Sequence, residues 1–417
     1  MMHTKNKFII ASVIVLLIVG ALLLLKQYVG PVAIPPQDET VKEEELVVPE
    51  KPAENNTTPG IAGITVPDGF VIRVFADKVT GARALAFDPR GRLLVSQTSE
   101  GSIMMLENKD SDGVAETKKV IAKNLSKPHG LAFDCPIDDR NLPCYLYVAE
   151  RQRLGRYLYN AKDASVSAYE KVADIESSAS DRHFTRSLLF LPSPNEHILL
   201  VSVGSSCDVC NEKDKMRGRI MAYDTKAKTF TEYASGLRNA VFMEINPVDG
   251  KIFATEMGRD RLGDNLPPDE INIIEQGKNY GWPICYGKNT HDTTFDKNTY
   301  IQNPCADKAP SFIDLPAHSA PLGLAFIPEE GWPEDYWYDI VVAFHGSWNR
   351  TQPTGYKIMR LKMDAQGNYE GAEDFISGWL TSKGTKLGRP VDIKVQPGGT
   401  VYISDDSRGA VYLMTHK

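Results

Sequence analysis

One unit recurs six times between residues 61 and 417. It consists of an apolar strand, an x-Pro or Asp/Gly turn, a second apolar strand ending in a small residue, then a glycine and a third strand. The first copy reads Ala84-Leu85-Ala86-Phe87-Asp88-Pro89, then Leu93-Leu94-Val95-Ser96, then Gly101 and Ile103 to Leu106. The later copies open at Gly130, Ser187, Val241, Gly323 and Val391. A unit of three or four short strands cannot bury its own faces, and stacking such units around an axis is how a β-propeller solves the problem. The pattern therefore predicts an all-β, six-bladed β-propeller over residues 61–417. The fourth strand of each blade comes from the apolar pieces between copies, such as Lys119 to Ala122. Phe70-Val71-Ile72-Arg73-Val74-Phe75 has no partner in the first copy and is predicted to complete the sixth blade, closing the ring with both ends of the chain. A β-sandwich with accidental regularity is disfavoured by six aligned turns.

Two segments precede the repeats. Phe8 to Leu25 is an uncharged apolar run behind Lys5 and Lys7. At about 1.5 Å per residue it reaches about 27 Å, close to the hydrocarbon thickness of a bilayer. No Ala-x-Ala site follows it, so residues 1–30 are read as an uncleaved transmembrane helix, with a long cleaved signal as the alternative. The leading lysines stay cytoplasmic and send the large domain to the extracytoplasmic side. Residues 31–60 hold seven acids, two lysines and six prolines without an aromatic residue, the composition of a disordered acidic linker. The whole chain carries 47 basic and 54 acidic residues, a formal charge of −7, which supplies no basic excess for general nucleic-acid binding.

The six cysteines form three local pairs, Cys135/Cys144, Cys207/Cys210 and Cys285/Cys305. Outside the cytoplasm such pairs read as structural disulfides. Asn211 follows the C-x-x-C where a c-type haem would need His, and no second pair completes a zinc site.

In a propeller the residues just before each innermost strand gather on one face, around the axis. His183 lies nine residues before Pro192 and Arg238 nine before Pro247. Asn239 and Arg389 lie eight before Pro247 and Pro397. Arg83 and His129 stand four before the Phe of their strands. This spacing predicts one cationic, polar pocket in a mildly acidic domain, suited to a small polyanion. For His129 and Arg83 a structural role is the stronger reading. His318 and His345 are further pocket-lining groups without a role.

Several segments together resemble a known family: Arg182-His183-Phe184-Thr185-Arg186-Ser187-Leu188, Gly236-Leu237-Arg238-Asn239, Asp269-Glu270-Ile271-Asn272 running into Asn279-Tyr280-Gly281-Trp282-Pro283, Phe344-His345-Gly346-Ser347-Trp348-Asn349-Arg350, and Gly388-Arg389-Pro390-Val391. They resemble the soluble aldose dehydrogenases dependent on pyrroloquinoline quinone (PQQ), in particular the sorbosone dehydrogenase-like branch. The resemblance implies oxidation of an aldose or related sugar aldehyde, with His183 as general base and hydride transfer to calcium-bound PQQ. It implies that Arg238 stabilises negative charge on the quinone oxygen, that Asn239 hydrogen-bonds the cofactor, and that Arg350 and Arg389 clamp its carboxylates. The turn at Gly258 and Arg259 is similar to the loop whose backbone carbonyls bind Ca²⁺. Three departures from the glucose dehydrogenase pattern stand out: Arg350 replaces a cofactor-binding Lys, Val391 replaces a second Arg, and Arg259 replaces Pro ahead of a longer Asp260 to Pro268 insertion.

The implied partners are a sugar, the membrane, and a separate quinone or cytochrome as electron acceptor, since the chain has no haem motif. Two other readings stay open. A lactonase-type hydrolase would hold calcium at the axis with acidic side chains, and a non-catalytic binding propeller would use the same groups as a plug.

Overall fold

The computed structural model of the chain describes residues 63–136, 143–175, 182–298, 300 and 302–417. Every described residue lies in one compact unit. The predicted anchor over residues 1–30 and the predicted linker over 31–60 lie outside the described residues. Among the described residues no helix is long and apolar enough to cross a membrane.

Six four-stranded antiparallel sheets follow one another. Blade 1 is Ala82–Phe87, Leu93–Gln97, Ser102–Glu107 and Thr117–Ala122. Blade 2 is Leu131–Asp134, Cys144–Ala149, Arg153–Asn160 and Ser165–Asp174. Blade 3 is Leu188–Phe190, Ile198–Val203, Arg219–Asp224 and Thr229–Ser235. Blade 4 is Ala240–Ile245, Ile252–Glu256, Asp269–Ile274 and Ile313–Leu315, with the hairpin Cys285–Tyr286/Thr290–His291 inserted before its last strand. Blade 5 is Pro321–Phe326, Ile340–Phe344, Lys357–Met363 and Tyr369–Ile376. Blade 6 takes Pro390–Val395, Val401–Asp405 and Ala410–His416 from the C-terminus and Phe70–Ala76 from the N-terminal side. Phe70 pairs with His416 and Val74 with Tyr412, so the predicted closure of the ring is present. The innermost strands touch in sequence from blade 1 to blade 6 and back to blade 1.

The small residues that end the second strands have a physical reason. In blades 1, 4, 5 and 6 the ladder between the first and second strands is shifted by a bulge, as between Ala82 and Leu85 or Pro390 and Ile393. A bulge strands an N–H that needs a partner. Ser96 Oγ accepts the Ala84 N–H at 3.0 Å, Ser404 Oγ the Asp392 N–H at 3.0 Å and Thr255 Oγ1 the Phe242 N–H at 3.3 Å. In blade 3 Ser202 Oγ does the same for Ser187 at 3.1 Å. The hydroxyls then bridge between blades, Ser404 to the Arg83 carbonyl at 2.6 Å and Thr255 to the Leu322 carbonyl at 2.7 Å. Leu85 N–H reaches Asp392 Oδ2 at 2.8 Å across the blade 1/blade 6 boundary.

Neighbouring inner strands approach closely. A Cβ on Gly323 would stand 2.5 Å from the Asp392 Cα, and one on Gly130 would collide with the Arg186 carbonyl, so both positions need glycine. Below this face the axis is filled by apolar side chains from several blades, with Ala84, Phe242, Leu322 and Val391 in one buried cluster. His129 is fully buried, its ring 5.1 Å from that of Phe242. It belongs to this plug, as its structural reading anticipated. Emptying one such site, Phe242→Ala, would cost about 3–5 kcal/mol. All three anticipated disulfides are present, Cys135–Cys144, Cys207–Cys210 and Cys285–Cys305.

Candidate active site

Antiparallel pairing puts the start of each blade's first strand beside the end of its second, so two segments per blade reach the same face. Contacts link them in a circuit around the axis. The Arg83 guanidinium lies 5.9 Å from the Phe184 ring, and Lys127 Nζ lies 5.0 Å from it. Phe184 adjoins His183, and His183 and Arg238 interact electrostatically. Arg238 binds Asp260, Asn349 donates to Asp260, and His345 on the same loop as Asn349 pairs with Asp406, which returns to Arg83. His183, Arg238, Asn239, Arg350 and Arg389 therefore share one face.

His183 has a left-handed backbone, φ 45°, which folds its side chain back over Gly204. A Cβ on Gly204 would lie 2.6 Å from the His183 Cβ and clash with the Asn239 amide oxygen, so this glycine brings base and amide together. His183 Nδ1 lies 3.0 Å from the Ser205 carbonyl and 2.9 Å from Ser205 Oγ. Ser205 Oγ spends its proton on the Cys207 carbonyl at 2.6 Å. Both groups facing Nδ1 are thus acceptors, which assigns the proton to Nδ1 and leaves a lone pair on Nε2. Burial, followed by the Arg238 charge, holds the imidazole well below its usual range, with Arg182 and Arg217 adding to the effect. Neutral at pH 7 and with a lone pair on its outer nitrogen, His183 has the properties of a proton acceptor.

Arg238 is buried and held by the Asp208 carbonyl at 2.9 Å, Asp208 Oδ1 at 2.8 Å, the Met257 carbonyl at 3.1 Å and Asp260 Oδ2 at 3.2 Å. Asn239 gives its backbone N–H to Glu256 Oε1 at 2.9 Å, while its buried Oδ1 has no partner. Asp208, Ser205 and Asp260 were not singled out in the sequence. The signal that would have found them is the segment after the second strand of a blade, which faces the axis as surely as the segment before the first.

On the opposite side, Arg389 donates to the His345 carbonyl at 3.0 Å and the Gly346 carbonyl at 2.6 Å. His345 Nε2 stands 2.9 Å from Asp406 Oδ1, and Arg83 binds Asp406 Oδ2 at 2.7 Å. Burial pulls the His345 pKa down to about 4 against the pull of Asp406. Asp406 is held below the usual carboxylate range by His345, Arg83 and Arg389, which outweigh its burial. Arg350 reaches the Ala317 carbonyl at 3.1 Å and Asn265 Oδ1 at 3.2 Å, tying it to the 260–268 insertion, and its buried Nε has no partner.

The Gly258–Arg259 turn sits over three buried acids. Burial drives Glu256 well above its usual range, and Asp269 and Glu270 each up to about 7. Gly258 N–H is taken by Asp269 Oδ1 at 2.9 Å, and the Arg259 side chain is anchored on Asp292 at 2.7 Å. Among the described residues no backbone N–H bonds to the Gly258 or Arg259 carbonyl. Glu256 Oε2 also lacks a partner, beside a cavity lined by Glu256, Gly258, Arg259, Glu270 and Asp292 together with Arg238, Trp282 and Tyr286. The carbonyl and carboxyl oxygens here are the ligand type a hard cation takes.

A model of the TrAA12-like family matches residues 64–417. The chain belongs to that family. It is 30% identical to an uncharacterized protein of Borreliella burgdorferi, over 84% of this chain and 90% of the relative. It is 28% identical to a pyrroloquinoline quinone-dependent sugar dehydrogenase of Hypocrea jecorina, over 56% of this chain, and spans 60% of that relative's length. The calcium structure of the Trichoderma reesei Carbohydrate-Active Enzymes Family AA12 protein superposes with a TM-score of 0.71 at 22% identity, covering 87% of this chain and 100% of that one. That likeness establishes the six-bladed fold for this TrAA12-like chain.

Proposed function

We propose that this chain is a PQQ-dependent sugar dehydrogenase, oxidising an aldose or related sugar aldehyde on the circuit of residues above. The observation that carries the reading is His183: its Nδ1 proton is committed to Ser205, its pKa is lowered, and Nε2 is left as a base inside a ring of guanidinium groups. Membership of a family with quinone-dependent relatives supports the cofactor.

The residues present fit such a cofactor. A flat molecule with three carboxylates needs donors on several sides, and Arg83 and Arg350 each keep an Nε without a partner, while Arg389 is bonded through Nε and Nη2 to backbone carbonyls rather than to a carboxylate. The unpartnered Oδ1 of Asn239 marks a place where a polar ligand would relieve a buried acceptor. The Gly258 and Arg259 carbonyls would hold Ca²⁺. When bound, the cofactor supplies a two-electron acceptor carbon for hydride. His183 Nε2 takes the proton from the sugar hydroxyl on the carbon that loses hydride, and the Ser205 acceptors steady the imidazolium that results. Arg238 presents fixed positive charge where negative charge develops. Trp348, 65% exposed on the loop between His345 and Arg350, would offer an apolar face to a sugar ring.

The proposal extends to location. Residues 1–30 anchor the protein by a single pass and the propeller works on the extracytoplasmic side, where its three disulfides are stable. A separate quinone or cytochrome takes the electrons.

The test is dye reduction by the purified full chain with PQQ, Ca²⁺ and a panel of aldoses. Turnover that needs both additions and is abolished by EDTA supports the reading. Lactone hydrolysis without PQQ would replace it with the hydrolase, and neither activity in a folded protein would leave the binding propeller.

A further inference from the structure

Arg238 is bound more tightly than a charge donor needs to be. Nε, one proton of Nη1 and both protons of Nη2 are committed, leaving one Nη1–H of the five guanidinium donors. Two carboxylates on one guanidinium offset its charge rather than add to it, so the arrangement does not serve to increase positive charge. What it fixes is orientation.

Half of the grip comes from one residue. Asp208 accepts from Arg238 with both its carbonyl and its Oδ1, and the same Oδ1 accepts the Asp260 N–H at 2.8 Å, pinning the start of the 260–268 insertion. Asp208 lies in the four-residue ring closed by Cys207–Cys210. That ring also presents the Cys207 carbonyl to Ser205 Oγ, the hydroxyl that faces His183 Nδ1. Glu212 closes the loop from the other side by accepting from Ser206 Oγ at 2.8 Å. Base and guanidinium, one from the start of blade 3 and one from the start of blade 4, are thus referred to a single cross-linked loop.

We propose that Asp208, framed by the Cys207–Cys210 ring, is a positioning residue that fixes the Arg238 guanidinium and the 260–268 insertion in register with His183. The proposal rests on the sugar dehydrogenase reading for the step it serves, whereas the bracket is built wholly from this chain's own residues. An arginine freed of such contacts regains side-chain entropy that must be removed again in each turnover, at the expense of preorganisation.

The experiment uses the full chain in two forms. In cofactor-free protein, hydrogen exchange of the Arg238 Nη2–H protons, one of which bonds Asp208 Oδ1, is followed by NMR, with the signal assigned through Arg238→Lys. In the loaded protein, kcat and KM are measured separately. Asp208→Ala removes the Oδ1 acceptor and should accelerate Nη2–H exchange about tenfold or more and lower kcat about 100-fold with KM little changed, the pattern for an interaction used in the transition state. Asp208→Asn keeps an acceptor oxygen and should fall between Ala and the native residue. Cys207→Ser/Cys210→Ser should move both readouts the same way as Asp208→Ala, by less. Unchanged exchange in the Asp208 variants overturns the proposal, even if kcat falls. Should Asp208→Ala fail to fold, unchanged exchange in Asp208→Asn overturns it equally. If the native protein oxidises no sugar, the activity reading fails while the exchange data still decide the role of Asp208.

Discussion

Two histidines reach the same face from different segments, His183 ahead of the first strand of blade 3 and His345 just after the second strand of blade 5, and they are used differently. His183 bonds through Nδ1 to a serine carbonyl and hydroxyl, while His345 bonds through Nε2 to the carboxylate of Asp406. Both pKa values are lowered by burial. Only the second histidine has a carboxylate partner, and that carboxylate is shared with Arg83. The His183 ring is thus tied to two neutral acceptors, while the His345 ring is tied to a carboxylate that also holds a guanidinium in place. Position in the repeat selects which residues meet at the axis, and the hydrogen-bond partner decides which of them can react.

The comparison breaks most sharply at the bases themselves. His183→Ala should lower dye-linked turnover by about 10³–10⁴-fold with cofactor binding retained, whereas His345→Ala should weaken binding of the cofactor more than it lowers kcat. Absorbance titration with PQQ beside steady-state kinetics separates the two, and equal losses of kcat would erase the distinction.

The next effect falls on the charge-holding side. Asp406→Ala leaves Arg83 and Arg389 without their shared anion and should cost about 3 kcal/mol in urea unfolding. Ser205→Ala on the other side leaves the backbone acceptor for His183 in place and should cost about 1 kcal/mol at most.

Acid separates the sides less strongly. A histidine whose folded pKa is near 4 binds fewer protons than its unfolded form between about 4 and 6.5, so stability falls as pH is lowered through that window. The advantage in melting midpoint of the native protein over a His345→Gln variant should therefore shrink from pH 7 to 4, a difference in which the opposite contribution of the raised Asp269 and Glu270 cancels. For His183 the same direction of shift means that kcat/KM shows no break near pH 6.5, because the base is already neutral there. The smallest effect belongs to the loop joining the two sides: Trp348→Ala should raise KM for the sugar about 3–10-fold and leave stability unchanged.

The scaffold was legible because its cause is local and repeated. Apolar strands, Gly130, Gly323 and the hydroxyl-bearing Ser96, Ser202, Thr255 and Ser404 each answer a steric or hydrogen-bonding need that recurs at the hub. His183, Arg238, Asn239 and Arg389 were legible because their offsets from a repeated proline put them on one rim. Asp208, Asp260 and Asp406 were not. They lie in loops of unequal length after second strands, and the carboxylates that neutralise an arginine need only proximity in space, which a linear pattern does not encode. Arg350 shows the same limit: its residue type was read, yet its attachment to Asn265 depends on how the insertion folds.

The seam between Phe70–Ala76 and Ala410–His416 has a consequence for biogenesis. The earliest strand to leave the ribosome waits, with one edge open, for the last strand to be made. Vectorial synthesis cannot finish this domain one blade at a time, and a nascent chain pausing before Ala410 presents a sticky ribbon to its neighbours. Whatever escorts the nascent polypeptide must shield that ribbon until translation ends.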